Sequence, residues 1–345
     1  MVGCAVVARR KTSTLVIVDR KPLVEQWRDR LLTHLDLGTK QVGQIGGGRK
    51  RPSGVVDVAM IQSLARRDDV AELTAGYGLV IVDECHHVPA VTFERVVREI
   101  PVRRWLGLTA TPYRRDGLQA LMAMYCGPIR HTMSLDESTA LRSLDLIVHE
   151  TDHEEHENDQ HIQETFRGIV EDGARTGTIC DDIAAASRRG RNCLVLTRWT
   201  EHLTAISETL SAMGVEPLVL HGQLGKKARA AVIEQLAKPP PKGGLVLAAT
   251  ASLLGKGFDC PPLDTLFLAF PIKFKGSVVQ YVGRILRPTD TKTHVEVHDY
   301  VDVRVPVLAR MHDERRTAYT ALGFELPQRP RRFGRSRQQA GSTRP

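Results

Sequence analysis

Residues 79–86 read Leu-Val-Ile-Val-Asp-Glu-Cys-His. An apolar run that ends in two carboxylates is a strand delivering an acidic pair to the edge of a sheet. A carboxylate placed like Asp83 can hold a divalent cation, and one placed like Glu84 can orient an attacking water. The next buried run ends in Leu108-Thr109-Ala110-Thr111-Pro112, whose small hydroxyl residues can bridge the carboxylates to a facing element. Far downstream, Gln280-Tyr-Val-Gly-Arg284-Ile-Leu-Arg287 spaces Gln280, Arg284 and Arg287 at i, i+4 and i+7. On a helix those share one face, and two guanidiniums so placed can meet a triphosphate across a cleft. Thr250 through Asp259, with Gly255, Lys256 and Gly257, is a Gly-rich loop whose aspartate can hydrogen-bond a ribose or pair with an arginine. Each group has a plainer reading alone: an N-cap for the helix after Pro89, a surface helix with solvated arginines, an ordinary loop.

The elements that must position these groups alternate. Apolar β-rich runs at 14–19, 55–60, 79–83 and 105–109 are separated in part by helical patterns at 22–35 and 89–99. The alternation restarts with runs at 193–197, 217–220, 244–249 and 264–270, and helical patterns at 199–213, 224–237 and 276–286. The runs are too continuous for a sheet with one wet face and predict parallel sheets covered on both sides. The expected organisation is a first α/β domain over 1–135, an acidic, His-rich connector over 136–178, and a second α/β domain over 179–322. Residues 302–322 are expected to form a last amphipathic helix. A Pro/Arg/Gly/Ser-rich tail over 323–345 is expected to be disordered.

Composition is that of an ordinary globular chain: 345 residues, 42% hydrophobic and 26% charged. The 48 basic residues outnumber 40 acidic ones, a net charge of +8 that leans toward a polyanionic partner, although part of the excess sits in the tail. The six cysteines, at 4, 85, 126, 180, 193 and 260, form no C-x-x-C pair. They read as reduced thiols in a cytoplasmic protein rather than a disulfide or zinc framework. No apolar run approaches the ~20 residues of a membrane span, and the start does not read as a signal peptide.

In order and spacing the motifs resemble those of the superfamily 2 helicases and translocases, DExH-type branch, whose motor is shared by restriction-enzyme helicase subunits and DNA-repair translocases. The resemblance covers about residues 14–322. Val18-Asp-Arg20-Lys21-Pro-Leu23, followed by Gln26 and Trp27, is similar to motif Ia, and Gln62-Ser63-Leu64 to motif Ib. Asp83-Glu84-Cys85-His86 is similar to motif II and Thr109-Ala110-Thr111 to motif III. Leu196-Thr197-Arg198 is similar to motif IV, with His221-Gly222 and Arg229 after it; Thr250 through Asp259 is similar to motif V, and Gln280 through Arg287 to motif VI. The resemblance implies two tandem RecA-like parallel-sheet domains with ATP and Mg²⁺ in the cleft. It gives Asp83 the metal, Glu84 the water, and Arg284 and Arg287 the γ-phosphate charge, with Gln280, Gly257 and Asp259 beside the nucleotide. It gives His86, Thr109 and Thr111 the coupling of the two domains. It gives Arg20, Lys21, Gln62, Ser63, Arg198, His221, Gly222 and Thr250 a sequence-independent, salt-sensitive grip on a nucleic-acid backbone, DNA first and RNA second. The three tryptophans read as packing rather than base stacking.

Two departures bear on activity. Lys256 stands where close relatives carry Glu. No G-x-x-x-x-G-K-[ST] phosphate loop occurs in the sequence. Residues 2–10 read as the remainder of the helix such a loop opens, which predicts a first domain lacking its phosphate-loop strand, with a missing N-terminal segment or a partner subunit to supply it. The glycines at 46–48 read as a turn between strands. Two rival functions follow: a nucleic-acid-binding protein that does not hydrolyse ATP, and a metal-dependent nuclease built on His149, His153, His156 and His161.

Overall fold

A computed structural model describes residues 2–87, 90–110, 119–132, 143–154, 161–236, 238, 244–251, 260, 262–272, 275–286, 289 and 292–326. Their strands form two six-stranded sheets. The first holds β1 (Thr14–Val18), β2 (Val42–Gly46), β3 (Arg49–Arg51), β4 (Val56–Met60), β5 (Leu79–Asp83) and β6 (Trp105–Leu108), in the order β3-β2-β4-β1-β5-β6. Every pairing in it is parallel except β2–β3. The second holds β7 (Ser143–Thr151), β8 (Cys193–Thr197), β9 (Leu218–Leu220), β10 (Val246–Thr250), β11 (Thr265–Leu268) and β12 (His294–Asp302), in the order β7-β12-β11-β8-β10-β9, parallel throughout.

The helices of the first half are α1 (Val2–Arg10), α2 (Lys21–His34), α3 (Ile61–Leu64), α4 (Val70–Thr74), α5 (Ala90–Glu99) and α6 (Gln119–Cys126). Those of the second are α7 (Ile162–Glu171), α8 (Gly173–Arg188), α9 (Thr200–Ala212), α10 (Lys226–Leu236), α11 (Lys275–Ile285) and α12 (Pro306–Ala321). Proline opens α2 and α12, where its missing N–H has no intrahelical partner to lose. Asp172 caps α8 by accepting the Arg175 N–H at 2.9 Å.

Strand periodicity sends alternate side chains to opposite faces, and both faces are covered. In β1, Leu15 and Ile17 enter one core with Val80, Phe93 and Val96, while Val16 and Val18 enter another with Val24, Trp27 and Leu31. In β8, Leu194 and Leu196 pack with Val278, Val282 and Tyr319, while Cys193 and Val195 pack with Ile179, Ile183 and Leu203. The eight predicted strands are all present within a residue or two at each end. Gly46, Gly47 and Gly48, all at positive φ, make the turn of the β2–β3 hairpin, so this run is a turn and not a phosphate cradle.

The expected connector requires correction. Within 136–178, residues 143–151 pair with β12 over nine positions and so form the edge strand of the second sheet. Helices α7 and the start of α8 follow, carrying buried Phe166, Ile169, Arg175 and Ile179. The sequence shows the β-rich run Leu144–Val148, but its charged and histidine surroundings assign it to the connector rather than to the second sheet. His294, Glu296, His298 and Tyr300 occupy one face of β12, opposite Ser143, Asp145, Ile147 and His149 of β7. That face is polar yet internally partnered: His149 bonds His298 at 3.0 Å and stacks on Tyr300, while His298 and His294 reach Glu296 at 3.4 and 3.1 Å. The turn expected at 46–48 joins β2 and β3, whose bounds the sequence does not mark, and β12 is not expected.

Candidate functional site

The predicted site residues lie far apart in sequence but share a place in the fold. In the first sheet Arg20, Gln62, Asp83 with Glu84, and Thr109 sit at or just beyond the carboxyl ends of β1, β4, β5 and β6. In the second, Arg198, His221 and Thr250 hold the same station on β8, β9 and β10. The carboxyl edge of a parallel sheet is where such folds place ligands, because helix N-termini and loop backbone converge there.

Asp83 is the last residue of β5, and both of its oxygens are engaged. Oδ1 accepts the Glu84 backbone N–H at 3.0 Å, and Oδ2 accepts the Trp27 indole N–H at 2.7 Å. Burial raises the Asp83 carboxyl above its usual range, and the Trp27 hydrogen bond opposes that rise. Glu84 turns the chain through a left-handed conformation, φ 47°. A non-glycine residue held there costs on the order of 1–3 kcal/mol, a strain that concentrates at functional positions. Its Oε2 is buried and makes no hydrogen bond. His86 Nδ1 lies 3.3 Å from that oxygen but is committed to Thr109 Oγ1 at 2.7 Å. Burial, then repulsion from Asp83, pushes the Glu84 carboxyl up to about 7, and Arg284 pulls the other way.

That influence of Arg284 crosses between the two domains. Gln280 and Arg284 lie one turn apart on α11, in the second domain, and Gln280 Nε2 comes within 3.5 Å of His86 Nε2 in the first. A file of polar groups therefore runs Thr109–His86–Gln280 beside the acidic pair. His86 and Thr109 were expected to couple the domains and Gln280 to lie beside the nucleotide; the fold brings the three together. Arg287, Gly257, Asp259 and Thr111 lie outside the described residues.

The remaining candidates are distributed along both domain edges. Arg20 precedes α2 and pairs with Asp19 at 2.8 Å; Lys21 opens α2 and is exposed. Gln62 and Ser63 lie on α3, and Gln62 Nε2 donates to the Asp19 carbonyl at 2.8 Å. Arg198 is exposed with its guanidinium 5.5 Å over the Phe166 ring, and Gly222 is exposed beyond β9. His221 keeps a buried Nδ1 without a hydrogen bond, and Thr250 is buried at the end of β10. The described histidines considered for a nuclease do not converge: His149 joins the β7–β12 face, His153 bonds Asp172 at 2.7 Å, and His161 caps α7, while His156 lies outside the described residues. Among the described residues no group of three or more His, Cys, Asp and Glu side chains could hold a metal.

Trp27 is the residue that sequence reasoning missed. It reads as packing, and its ring is indeed buried, yet its N–H ends on the acidic pair. The signal available was its position: a tryptophan nearly two helical turns into α2, on the face that packs over the first sheet.

The donor set suits a divalent cation bound together with an anionic ligand. Asp83 supplies a carboxylate fixed from both sides, Asp19 adds negative potential to both acidic neighbours, and the orphaned Glu84 Oε2 is an acceptor awaiting a donor such as water.

Comparison with known proteins agrees with this layout. Residues 2–114 match the family model "Type III restriction enzyme, res subunit", and residues 176–289 match "Helicase conserved C-terminal domain". The chain is 32% identical over 136 residues to "DNA 3'-5' translocase XPB2" of Sulfurisphaera tokodaii, which covers 39% of this chain and 30% of that protein. It is 25% identical over 296 residues to "Probable helicase D10" of Escherichia phage T5, covering 84% of this chain and 62% of the other. It thus spans less than two thirds of either relative. Among solved structures, S. cerevisiae Dbp5 bound to RNA and ADP BeF3 superposes with a TM-score of 0.59 at 12% identity, covering 91% of this chain and 76% of that one. That likeness is of fold: two tandem RecA-like domains.

Proposed function

The chain belongs to the superfamily 2 helicases, and from that premise we propose that it is the motor of an ATP-dependent translocase or helicase acting on DNA. Asp83 holds Mg²⁺, which when bound neutralises charge on the transferring phosphates. Glu84 orients the attacking water and accepts its proton. A carboxyl at about 7 remains a competent base near neutral pH while staying partly protonated in the resting site. Arg284, with Arg287, offsets the negative charge that develops on the γ-phosphoryl group. Gly257 and Asp259 contact the nucleoside. Gln280, His86, Thr109 and Thr111 couple the second domain to the acidic loop, so that nucleotide state is felt as a change in domain separation. Arg20, Lys21, Gln62 and Ser63 from one domain and Arg198, His221, Gly222 and Thr250 from the other grip the sugar-phosphate backbone, alternately tight and loose.

The single observation that carries this reading is Glu84. It is a strained, desolvated carboxylate with one oxygen unbonded, beside a metal-type aspartate and under the influence of an arginine from the other domain. ATP hydrolysis measured with and without DNA tests it. DNA-stimulated turnover that falls at least about 100-fold in Glu84→Gln supports the motor, since general-base catalysis contributes on that scale. A second reading is a nucleic-acid-binding protein or partner subunit that does not hydrolyse ATP. DNA binding with no turnover, equal in wild type and Glu84→Gln, would select it. No described helix is long and apolar enough to cross a membrane.

A further inference from the structure

We infer that Trp27 is a positioning residue for Asp83: its indole N–H fixes the orientation of the carboxylate assigned to the metal, and its ring ties that carboxylate to α1. The inference rests on the proposed role of Asp83. Three observations carry it.

The first is the bond itself. The indole Nε1 lies 2.7 Å from Asp83 Oδ2, while Oδ1 takes the Glu84 N–H at 3.0 Å. With one donor on each oxygen, the carboxylate plane is set and each oxygen keeps lone-pair capacity for a further partner.

The second is a contrast within the chain. Of its three tryptophans, Trp105 gives its N–H to the Val102 carbonyl at 2.7 Å, and Trp199 rests tilted against Phe270 at 6.2 Å. Those are the arrangements of packing residues. Trp27 spans 56 positions of sequence to reach a buried carboxylate in the acidic pair.

The third is the fit of the ring against α1. Trp27 shares a core with Cys4 and Val7, and a Cβ on Gly3 would lie 2.1 Å from the indole Cη2. Only glycine leaves room for the ring at this point of α1. The chain of contact α1–Trp27–Asp83 therefore transmits any shift of α1 to the metal-side carboxylate. Groups that orient a metal ligand from behind typically change metal affinity 10- to 100-fold when removed.

Mn²⁺ serves as the probe, on the full chain labelled with 5-fluorotryptophan. Three ¹⁹F resonances are assigned through Trp105→Phe and Trp199→Phe, so no change at Trp27 is needed. The expected result is that Asp83→Asn shifts the Trp27 resonance and leaves the other two in place. Mn²⁺ is then expected to broaden the Trp27 line first, and Trp27→Phe to raise the Mn²⁺ dissociation constant, read by electron paramagnetic resonance, about tenfold or more. A Trp27 resonance unmoved by Asp83→Asn overturns the inference, as does a dissociation constant within twofold of wild type in a folded Trp27→Phe. If Asp83→Asn abolishes Mn²⁺ binding and Trp27→Phe does not weaken it, the inference alone falls. If Mn²⁺ binding is absent from the wild-type chain or unchanged in Asp83→Asn, the metal role of Asp83 falls and takes the inference with it.

Discussion

Two sets of carboxylates, one in each domain, are kept in opposite conditions. In the second, Asp299 is 1% exposed and surrounded by donors: Arg315 Nε and Nη2 at 2.9 and 2.8 Å, the Tyr319 hydroxyl at 2.8 Å and His312 Nδ1 at 3.2 Å. These partners outweigh burial and hold its carboxyl well below the usual range. Asp302 is met in the same way by Arg175 at 2.7 and 3.3 Å and by Thr151. In the first domain, burial prevails at Asp83 and Glu84, whose carboxyls are raised, and Glu84 retains an unbonded oxygen. Identical side chains thus serve two ends. A carboxylate whose acceptors are all filled by its own chain fixes α12 and α8 to their sheet. A carboxylate left short of donors is a place where something else must bind.

The largest effect that separates these cases is on stability. Arg315→Met leaves Asp299 buried with its strongest partner gone, and removing one member of a buried pair costs about 3–5 kcal/mol. Urea unfolding should show a loss in that range, lessened when Asp299→Asn is added, because the stranded charge is then removed. A loss below about 1 kcal/mol would mean that the Asp299 cluster is as dispensable as a surface pair and would erase the contrast.

Next in size is a pH effect confined to the second domain. His202 is fully buried, between Thr197 Oγ1 at 2.8 Å and Thr176 Oγ1 at 3.4 Å. Burial first, then the nearby Arg175, lowers its pKa from 6.5 to about 3. The folded state therefore refuses a proton that the unfolded state accepts. The stabilisation is complete above pH 6.5 and is lost progressively as pH falls from there toward 3. Between pH 7 and 5 the loss is on the order of 2 kcal/mol. Melting curves across that interval, compared with His202→Gln, measure it; a His202→Gln protein with the same pH slope as wild type would remove His202 as the cause.

The same contrast explains what the sequence disclosed. Asp83-Glu84, Thr109 and the Gln280–Arg284 spacing were legible because each is a local string whose chemistry depends on a few adjacent residues. Although the edge strands β6 and β9 are only partly buried, most of the eight apolar strands were legible because both their faces are buried, which forces continuous hydrophobic runs. Strands β7 and β12 were not, because their polar face is filled by His149, His298, Glu296 and Tyr300 bonding one another across strands that are 149 positions apart. From the sequence, His149 reads as part of a solvated acidic connector, and residues 294–302 carry no continuous apolar run to mark a strand. Trp27 packs as expected, but its hydrogen bond to Asp83 was not legible for a related reason: it exists only once β1 and β5 lie side by side and α2 packs across them.

The smallest effect is the most discriminating. At a structural carboxylate, neutralisation removes hydrogen bonds and destabilises. At Glu84, the Oε2 has no hydrogen bond to lose, Asp83 repels the charge, and burial disfavours it. Glu84→Gln keeps the shape, removes the repulsion from Asp83 and Asp19, and gives up the attraction of Arg284 and Arg20. Its stability should equal that of wild type or exceed it by up to about 1 kcal/mol, as expected when an uncompensated buried charge is deleted. Because burial raises the carboxyl from 4.5 to about 7, this gain should be largest at pH 8, where folded Glu84 is ionised, and much reduced at pH 5, where the folded side chain is neutral and only the unfolded chain still ionises it. Paired melts of wild type and Glu84→Gln at those two pH values measure the difference. A variant less stable than wild type at pH 8 would show that Glu84 holds the fold as Asp299 does, and the acidic pair would then lose the signature by which it was singled out.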